Sequence, residues 1–88
     1  MVIHGGEAFG AFLNSKRRER RLTARTMASM AGLDAGYYCG MEHGRRFPLC
    51  DEDIFRLADA LSLPRGERIA FYKLAFAVRP QIQASVWE

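Results

Sequence analysis

The feature that most constrains the fold of this chain is a short apolar segment that begins at a helix cap and ends at a glycine. Thr23 carries the kind of hydroxyl side chain that caps a helix N-terminus. After it, Met27, Ala28 and Ala31 recur at helical spacing, so that one stripe of the helix is apolar. Gly32 stands where this helix ends, and glycine adopts the left-handed conformation needed there most easily. The pattern predicts a short helix that stops and reverses abruptly.

A second short helix follows the glycine. Tyr38 and Met41 supply its inward face, and Gly44 stops it shortly before Pro48. Together the two segments, at about residues 23–43, predict a helix–turn–helix. The usual role of this motif is to hold its second helix in the major groove of DNA.

From about Phe9 to Leu63, the chain resembles the XRE family of phage repressors and Cro proteins. The resemblance covers most of the chain and matches several positions at fixed offsets. It implies an all-α, five-helix, lambda-repressor-like DNA-binding domain over residues 7–79, followed by a C-terminal tail over residues 80–88. The matched motifs are the basic stretch Lys16–Arg21 with Leu22-Thr23, the central helix within Thr23–Leu33, the third helix and its stop within Ala35–Arg46, and the fourth helix at Ile54–Leu61.

The five helices are expected where apolar residues recur at helical spacing between turn signals. Gly5-Gly6 discourages a helix start before Glu7, and Asp51 is a suitable cap for the fourth helix. Pro64 suits the first turn of the fifth helix. The expected spans are about 7–20, 24–31, 35–43, a fourth helix capped by Asp51 and containing 54–61, and a fifth from 64 to 79.

Charge is distributed unevenly along the chain. The net charge is only +3, but six basic residues and a single acid, Glu19, lie between Lys16 and Arg25. Four acids and one arginine lie between Asp51 and Asp59. A basic face on a small domain is typical of a polyanion partner. Beside a helix–turn–helix it favours nucleic acid over a merely solvated helix surface.

The resemblance also implies which residues contact DNA. Thr23 and Arg25 begin the second helix, which in the family abuts the phosphate backbone, although a plain capping role suits Thr23 equally well. Arg45 and Arg46 occupy the loop where the family makes phosphate contacts, and solvated loop residues are the alternative. The full expected set is Arg17, Arg18, Thr23, Arg25, Asp34, Ala35, Gly36, Tyr37, Gly40, Arg45 and Arg46.

The expected recognition helix departs from the family pattern because it offers no Arg, Lys, Asn or Gln in its first two turns. Ala35 suits contact with a thymine methyl group, and Tyr37 suits either contact with a phosphate or stacking on apolar surface. Gly36 and Gly40 allow DNA or a protein to approach the backbone. Ala24 stands where the family often has a glutamine that bridges to DNA. Two interpretations stay open: a DNA binder that relies on phosphates and shape, and a helix–turn–helix that binds a protein.

Arg17 and Glu42 match two positions that form a partly buried salt bridge in the family. The resemblance therefore suggests that Arg17 ties the first helix to the end of the third. Two unrelated surface charges are the alternative.

The fifth helix is apolar around more than half of its girth, and a domain this small buries only one side of it. We therefore expect a homodimer that places two third helices in adjacent major grooves. For Phe71, Phe76 and Trp87 the alternative is a place in the protein's own core. The residues expected at the dimer interface are Phe71, Phe76, Val86 and Trp87.

Other sequence features argue against several functions. Cys39 and Cys50 are eleven positions apart and, with His4 and His43, fit no metal-binding spacing, so neither a metal nor another cofactor is expected. No acid–base pair, phosphate loop or partnered nucleophile indicates an enzyme. No apolar run reaches the ~18–20 residues that span a bilayer. The N-terminus lacks the order of a signal peptide, so a cytoplasmic protein without membrane partners is expected.

The sequence thus predicts a sequence-specific, double-stranded DNA-binding transcriptional regulator of the repressor type. The alternative is a protein-interaction module, such as an antitoxin or a phage regulator whose partner is another protein.

Overall fold

The computed structural model describes the backbone of residues 5–87 and the side chains of residues 7–78. Within that part of the chain all regular structure is helical, so the expected all-α architecture of five helices is confirmed. None of these helices combines the length and the hydropathy needed to cross a lipid bilayer. The helices are α1 at Gly5–Glu19, α2 at Ala24–Met30, α3 at Ala35–Glu42, α4 at Asp51–Ala60 and α5 at Arg65–Trp87.

The starts of α1 and α4 differ from the sequence prediction. α1 starts at Gly5, since the entropy cost of Gly5 and Gly6 is confined to the first turn of a helix of 15 residues. Asp51 does not cap α4: Cys50 holds that position without a side-chain hydrogen bond, and Asp51 lies in the first turn with Glu52 and Asp53. Negative charge there interacts favourably with the positive end of the helix, which compensates for the absent cap.

The fifth helix differs from the prediction at both ends. The carbonyl of Pro64 accepts the N–H of Arg68 at 2.8 Å, so the proline precedes α5 instead of occupying its first turn. The helix then continues past Arg79 and through Pro80 to Trp87, so the stretch predicted as a separate tail is helical to that point. A proline inside a helix costs one hydrogen bond, but its fixed φ lies in the helical range.

The first four helices end in the same hydrogen-bonded turn, the Schellman motif. At the end of α2, the N–H of Gly32 donates to the carbonyl of Ser29 at 3.1 Å, and the N–H of Leu33 donates to that of Ala28 at 2.8 Å. The expected left-handed turn is confirmed, since Gly32 has a φ of 71°. The corresponding left-handed residues are Arg21 (φ 58°) after α1, Gly44 (φ 76°) after α3 and Ser62 (φ 52°) after α4.

Phe71 of α5 belongs to the protein's own hydrophobic core. Its side chain is fully buried, and its ring centroid lies 5.5 Å from that of Phe9 and 5.6 Å from that of Phe12. The expectation that Phe71 lies at a dimer interface is therefore wrong, because none of its surface is left for a second copy. The side chains of Val86 and Trp87, also expected there, lie outside the described residues. The largest buried side chains are Phe9, Leu13, Met27, Tyr38, Met41, Ile54, Leu57, Leu61 and Phe71.

Apolar surface remains exposed where α4 and α5 meet. Phe76, the remaining residue expected at the dimer interface, is half-buried, and its ring lies 6.2 Å from that of Tyr72 and 6.5 Å from that of Phe55. Phe55 is 45% exposed, and Ile69, which shares a face of α5 with Tyr72 and Phe76, is 48% exposed. We call Phe55, Ile69, Tyr72 and Phe76 the aromatic patch.

α1 and α3 are in direct backbone contact at Gly10. The glycine is buried, and a Cβ atom there would lie 2.5 Å from the carbonyl oxygens of both Met41 and Glu42. Because no side chain fits in that space, the end of α3 packs directly on the backbone of α1.

Candidate nucleic-acid interface

Side-chain caps close the starts of both α2 and α3. The Thr23 hydroxyl oxygen accepts the N–H of Thr26 at 3.0 Å, so its expected capping role is confirmed. The Asp34 carboxylate accepts the N–H of Tyr37 at 3.1 Å and caps α3. Asp34, expected among the DNA contacts, thus uses its carboxylate to close a helix, and the next residue, Ala35, is half-buried against the core.

Arg17 and Glu42 form the expected ion pair between α1 and α3. The Nε and Oε2 atoms are 2.6 Å apart, and Nη2 donates to Oε1 at 3.1 Å, which makes the pair bidentate. Arg17 also donates from Nη1 to the carbonyl of Leu22 at 2.8 Å, and Asn14 donates to Glu42 at 3.0 Å. The side chains of Arg17 and Glu42 are only 15% and 5% exposed. The pair fixes the end of α3 against α1.

The environment of this pair stabilises both charges. Burial opposes the ionisation of Glu42, but the hydrogen bonds from Arg17 and Asn14 outweigh it and hold the pKa of this carboxyl below its ordinary value. The hydrogen bond to Glu42 in turn raises the pKa of Arg17. Beside them, burial raises the pKa of the Tyr38 phenol, and the nearby Glu42 charge raises it further.

Six arginines near α2 and α3 are exposed and have no ion-pair partner within the described part of the chain. They fall into two groups, one leading into α2 and one leaving α3, so that they flank the helix pair in the chain. Lys16 and Arg56 are held by nearby carboxylates, whereas Arg65 and Lys73 on α5 are also exposed without an ion-pair partner among the described residues. The six are Arg18, Arg20, Arg21, Arg25, Arg45 and Arg46.

Tyr37 does not offer its hydroxyl to a phosphate, contrary to expectation. The hydroxyl lies 2.9 Å from the carbonyl of Phe47 and 3.2 Å from a carboxylate oxygen of Asp53, and it accepts the N–H of Leu49 at 3.1 Å. Burial, aided by the nearby Asp53 charge, raises the pKa of this phenol to about 12. The half-buried side chain therefore joins α3 to the loop after it and to the start of α4.

Gly40 does not leave open backbone for a ligand, which also corrects the sequence prediction. The side chain of Arg46 occupies the space: a Cβ atom on Gly40 would overlap Arg46 Cγ and would lie 3.2 Å from its Cβ. The N–H groups of Arg45 and Arg46 both donate to the Gly40 carbonyl, at 2.8 and 3.1 Å. Gly36, in contrast, is exposed.

Negative charge lies close to α3. The Tyr37–Asp53 hydrogen bond brings the first turn of α4 beside the start of α3, and that turn carries Asp51, Glu52 and Asp53. A phosphate near this end of α3 would be repelled, so the arginine groups favour an anionic partner while this corner opposes one.

Several residues that shape this region escape sequence reasoning. Asn14 had a detectable signal, because it lies three residues before Arg17 and therefore on the same helix face. The close contact at Gly10 and the hydrogen bonds of Tyr37 had none, since both depend on how distant segments pack.

A scan of the chain against models of known protein families found no match, and no curated protein is significantly similar to it. The resemblance to the XRE family therefore rests on the residues themselves.

Proposed function

We propose that this chain is a double-stranded DNA-binding transcriptional regulator whose five helices form a lambda-repressor-like domain of the XRE type. The observation that carries the proposal is the set of six exposed arginines that flank the α2–α3 pair in the chain and have no ion-pair partner among the described residues. These positive charges repel one another in the free protein, and binding to a polyanion replaces that repulsion with attraction.

In this proposal the arginines supply affinity and α3 supplies orientation. Arg18, Arg21 and Arg25 neutralise phosphates on one side of the groove, and Arg45 does so on the other. Because the Arg17–Glu42 pair and the Gly10 contact hold α3 rigidly on α1, the helix enters the groove at a fixed angle. Arg17 acts through this architecture, since its guanidinium is already occupied.

A binding assay on the gene's own upstream DNA tests the proposal. Purified protein is titrated into fluorescent duplexes that tile the promoter, with unlabelled random duplex as competitor. We expect one duplex to be retained when the competitor is in excess, and the variant Arg21→Ala/Arg25→Ala to lose binding while its helical circular dichroism is unchanged. Failure of the wild-type protein to bind any duplex at low salt would refute the proposal.

A protein-interaction module, such as an antitoxin or a phage regulator, is the second candidate. Specific observations favour it: α3 presents no long polar side chain of its own in its first two turns, and the acidic start of α4 lies beside it. Co-expression with the product of the adjacent gene distinguishes the two. A stable 1:1 complex whose formation abolishes or replaces DNA binding would favour this second function.

We also propose that two copies associate through the aromatic patch, which would give the DNA-binding form its two-fold symmetry. Exposed Phe55 and Ile69, with half-buried Phe76, supply the apolar area in place of the fully buried Phe71.

A further inference from the structure

The outward face of α3 is almost bare of side chains. Gly36, Cys39, Gly40 and His43 are three or four residues apart and so share one face, opposite the buried Tyr38 and Met41. Two of the four are glycines, and Cys39 is half-buried. A helix that enters a DNA groove with this face has no side chain of its own long enough to bond the base edges with several donors.

The turn after α3 returns the chain to this face. Gly44, at a φ of 76°, lets the N–H groups of Arg45 and Arg46 both reach the Gly40 carbonyl. Arg46 then lays its aliphatic stem on the bare backbone of Gly40: its Cβ, Cγ and Cδ atoms all lie within 4 Å of the point where a Gly40 Cβ would be. The absence of a side chain at position 40 is what admits the stem.

The other end of Arg46 is free. The residue is exposed, and its guanidinium has no ion-pair partner among the described residues. Resting the stem on α3 also limits the rotamers that the side chain has to give up when it binds.

We propose that Arg46 is the base-reading side chain of α3, seated on Gly40, and that it reads a guanine in the major groove. A guanidinium matches the O6 and N7 acceptors of guanine with two parallel hydrogen bonds, which no other base offers in that arrangement. The inference rests on the proposed DNA-binding function and names the base that its site recognises. The side chain that α3 lacks is thus supplied by the turn that follows it.

The test begins with duplexes selected by the wild-type protein from a randomised library, followed by replacement of each G·C pair of the best duplex with A·T. We expect one guanine whose replacement weakens wild-type binding about 5- to 150-fold. Arg46→Lys keeps the positive charge but not the fork, so it should bind random duplex like the wild type and lose the preference for that guanine.

Gly40→Ala tests whether the packing of Arg46 on the Gly40 backbone is needed. A methyl group at position 40 displaces the stem of Arg46, so we expect this variant to lose the same guanine preference although alanine favours a helix more than glycine does. The matched control is Gly66→Ala in α5, where no atom lies within 4 Å of the new methyl group, and this variant should keep the preference. The double variant Gly40→Ala/Arg46→Ala should have the same base preference as Arg46→Ala alone, because both changes remove the same interaction.

The outcomes separate this inference from the function on which it rests. If the wild type selects no duplex, the proposed function and this inference both fail. If it selects duplexes but Arg46→Lys and Gly40→Ala keep the wild-type preference at every position, Arg46 is a phosphate contact and only this inference fails. Thermal melts of each variant show whether a loss of binding reflects loss of folding.

Discussion

At the residue scale, Glu42 accepts hydrogen bonds from Arg17 and Asn14 while only 5% of its side chain is exposed. Glu42→Ala leaves a largely buried guanidinium without its partner, so we expect the free energy of unfolding to fall by about 3 kcal/mol. Glu52→Ala is the control: Glu52 forms an exposed pair with Arg56, and its loss should cost less than about 1 kcal/mol. Urea unfolding at neutral pH measures both, and equal midpoints for the two variants would contradict the prediction.

The same carboxylate should impose an acid limit on stability. The pKa of Glu42 in the folded protein lies below its ordinary value of 4.5. A lowered pKa contributes stability that is present in full above the ordinary value and is lost as the pH falls through the folded value. We therefore expect acidification below 4.5 to destabilise the wild type more steeply than Glu42→Gln.

Unfolding free energies at a series of pH values from neutral down to about 3 give the comparison. Parallel curves for the wild type and Glu42→Gln would show that another carboxylate sets the acid limit.

At the scale of single elements, the helix ends differ in how well their residues suit them. Ser62 ends α4 with a φ of 52°, a conformation that costs a non-glycine residue roughly 1–2 kcal/mol. Ser62→Gly removes this strain but adds chain entropy to the unfolded state, so a net gain of about 0.5–1 kcal/mol is expected.

Replacing a glycine at another left-handed turn residue should destabilise the folded protein. Gly32 has a φ of 71°, and Gly32→Ala is expected to cost about 1 kcal/mol through backbone strain alone, since only an Arg56 nitrogen lies within 4 Å of the new methyl group. Melting temperatures that move in opposite directions for the Ser62 and Gly32 variants would support this account, and shifts of the same sign would refute it.

Local signals explain which elements are predictable from sequence. Thr23, Gly32 and Gly44 act on their own neighbours through a cap or a turn, so α2, α3 and the turn between them emerge from the residues alone. The start of α4 is missed because a favourable charge in its first turn, at Asp51, looks like a cap in the sequence.

The candidate site is less predictable than the helices that carry it. The Arg17–Glu42 pair follows from the resemblance, whereas the roles of Tyr37 and Gly40 depend on the path of the chain after α3. Phe71 was expected at an interface because helical spacing shows that α5 is apolar but does not show which of its sides faces α1.

At the scale of the whole molecule, affinity for DNA should depend steeply on salt. If the four arginines assigned to phosphates make their contacts, log K against log[salt] should have a slope of about −4, because each contact contributes about −0.9. Arg25→Ala should reduce the magnitude of the slope by about one and weaken all duplexes alike.

Lys73→Ala is the matched control for this charge effect. Lys73 is also exposed and lacks an ion-pair partner among the described residues, but it lies on α5, away from the α2–α3 pair in the chain. The salt-dependence slope of the Lys73→Ala variant should equal that of the wild type. An identical loss for Lys73→Ala and Arg25→Ala would mean that net charge, and not the arginine groups, drives binding.

The mass of the protein in solution tests the proposal that two copies associate through the aromatic patch. Light scattering at micromolar concentration should give about twice the chain mass of 10.0 kDa, and Phe76→Glu should reduce it to the single-chain value. Leu49→Glu, at an apolar residue that is 69% exposed in the loop before α4, should leave the mass unchanged. A wild-type protein of single-chain mass that keeps full DNA affinity would rule out the dimer.

The backbone crossing of α1 and α3 at Gly10 bears on how a protein of this kind changes during evolution. Because main chain meets main chain there, this contact involves no side chain from the outward face of α3. A substitution at the exposed residues Gly36 or His43 leaves this crossing untouched, whereas any larger residue at position 10 would force the two helices apart. We therefore expect the outward face of α3 to vary more between related chains than position 10.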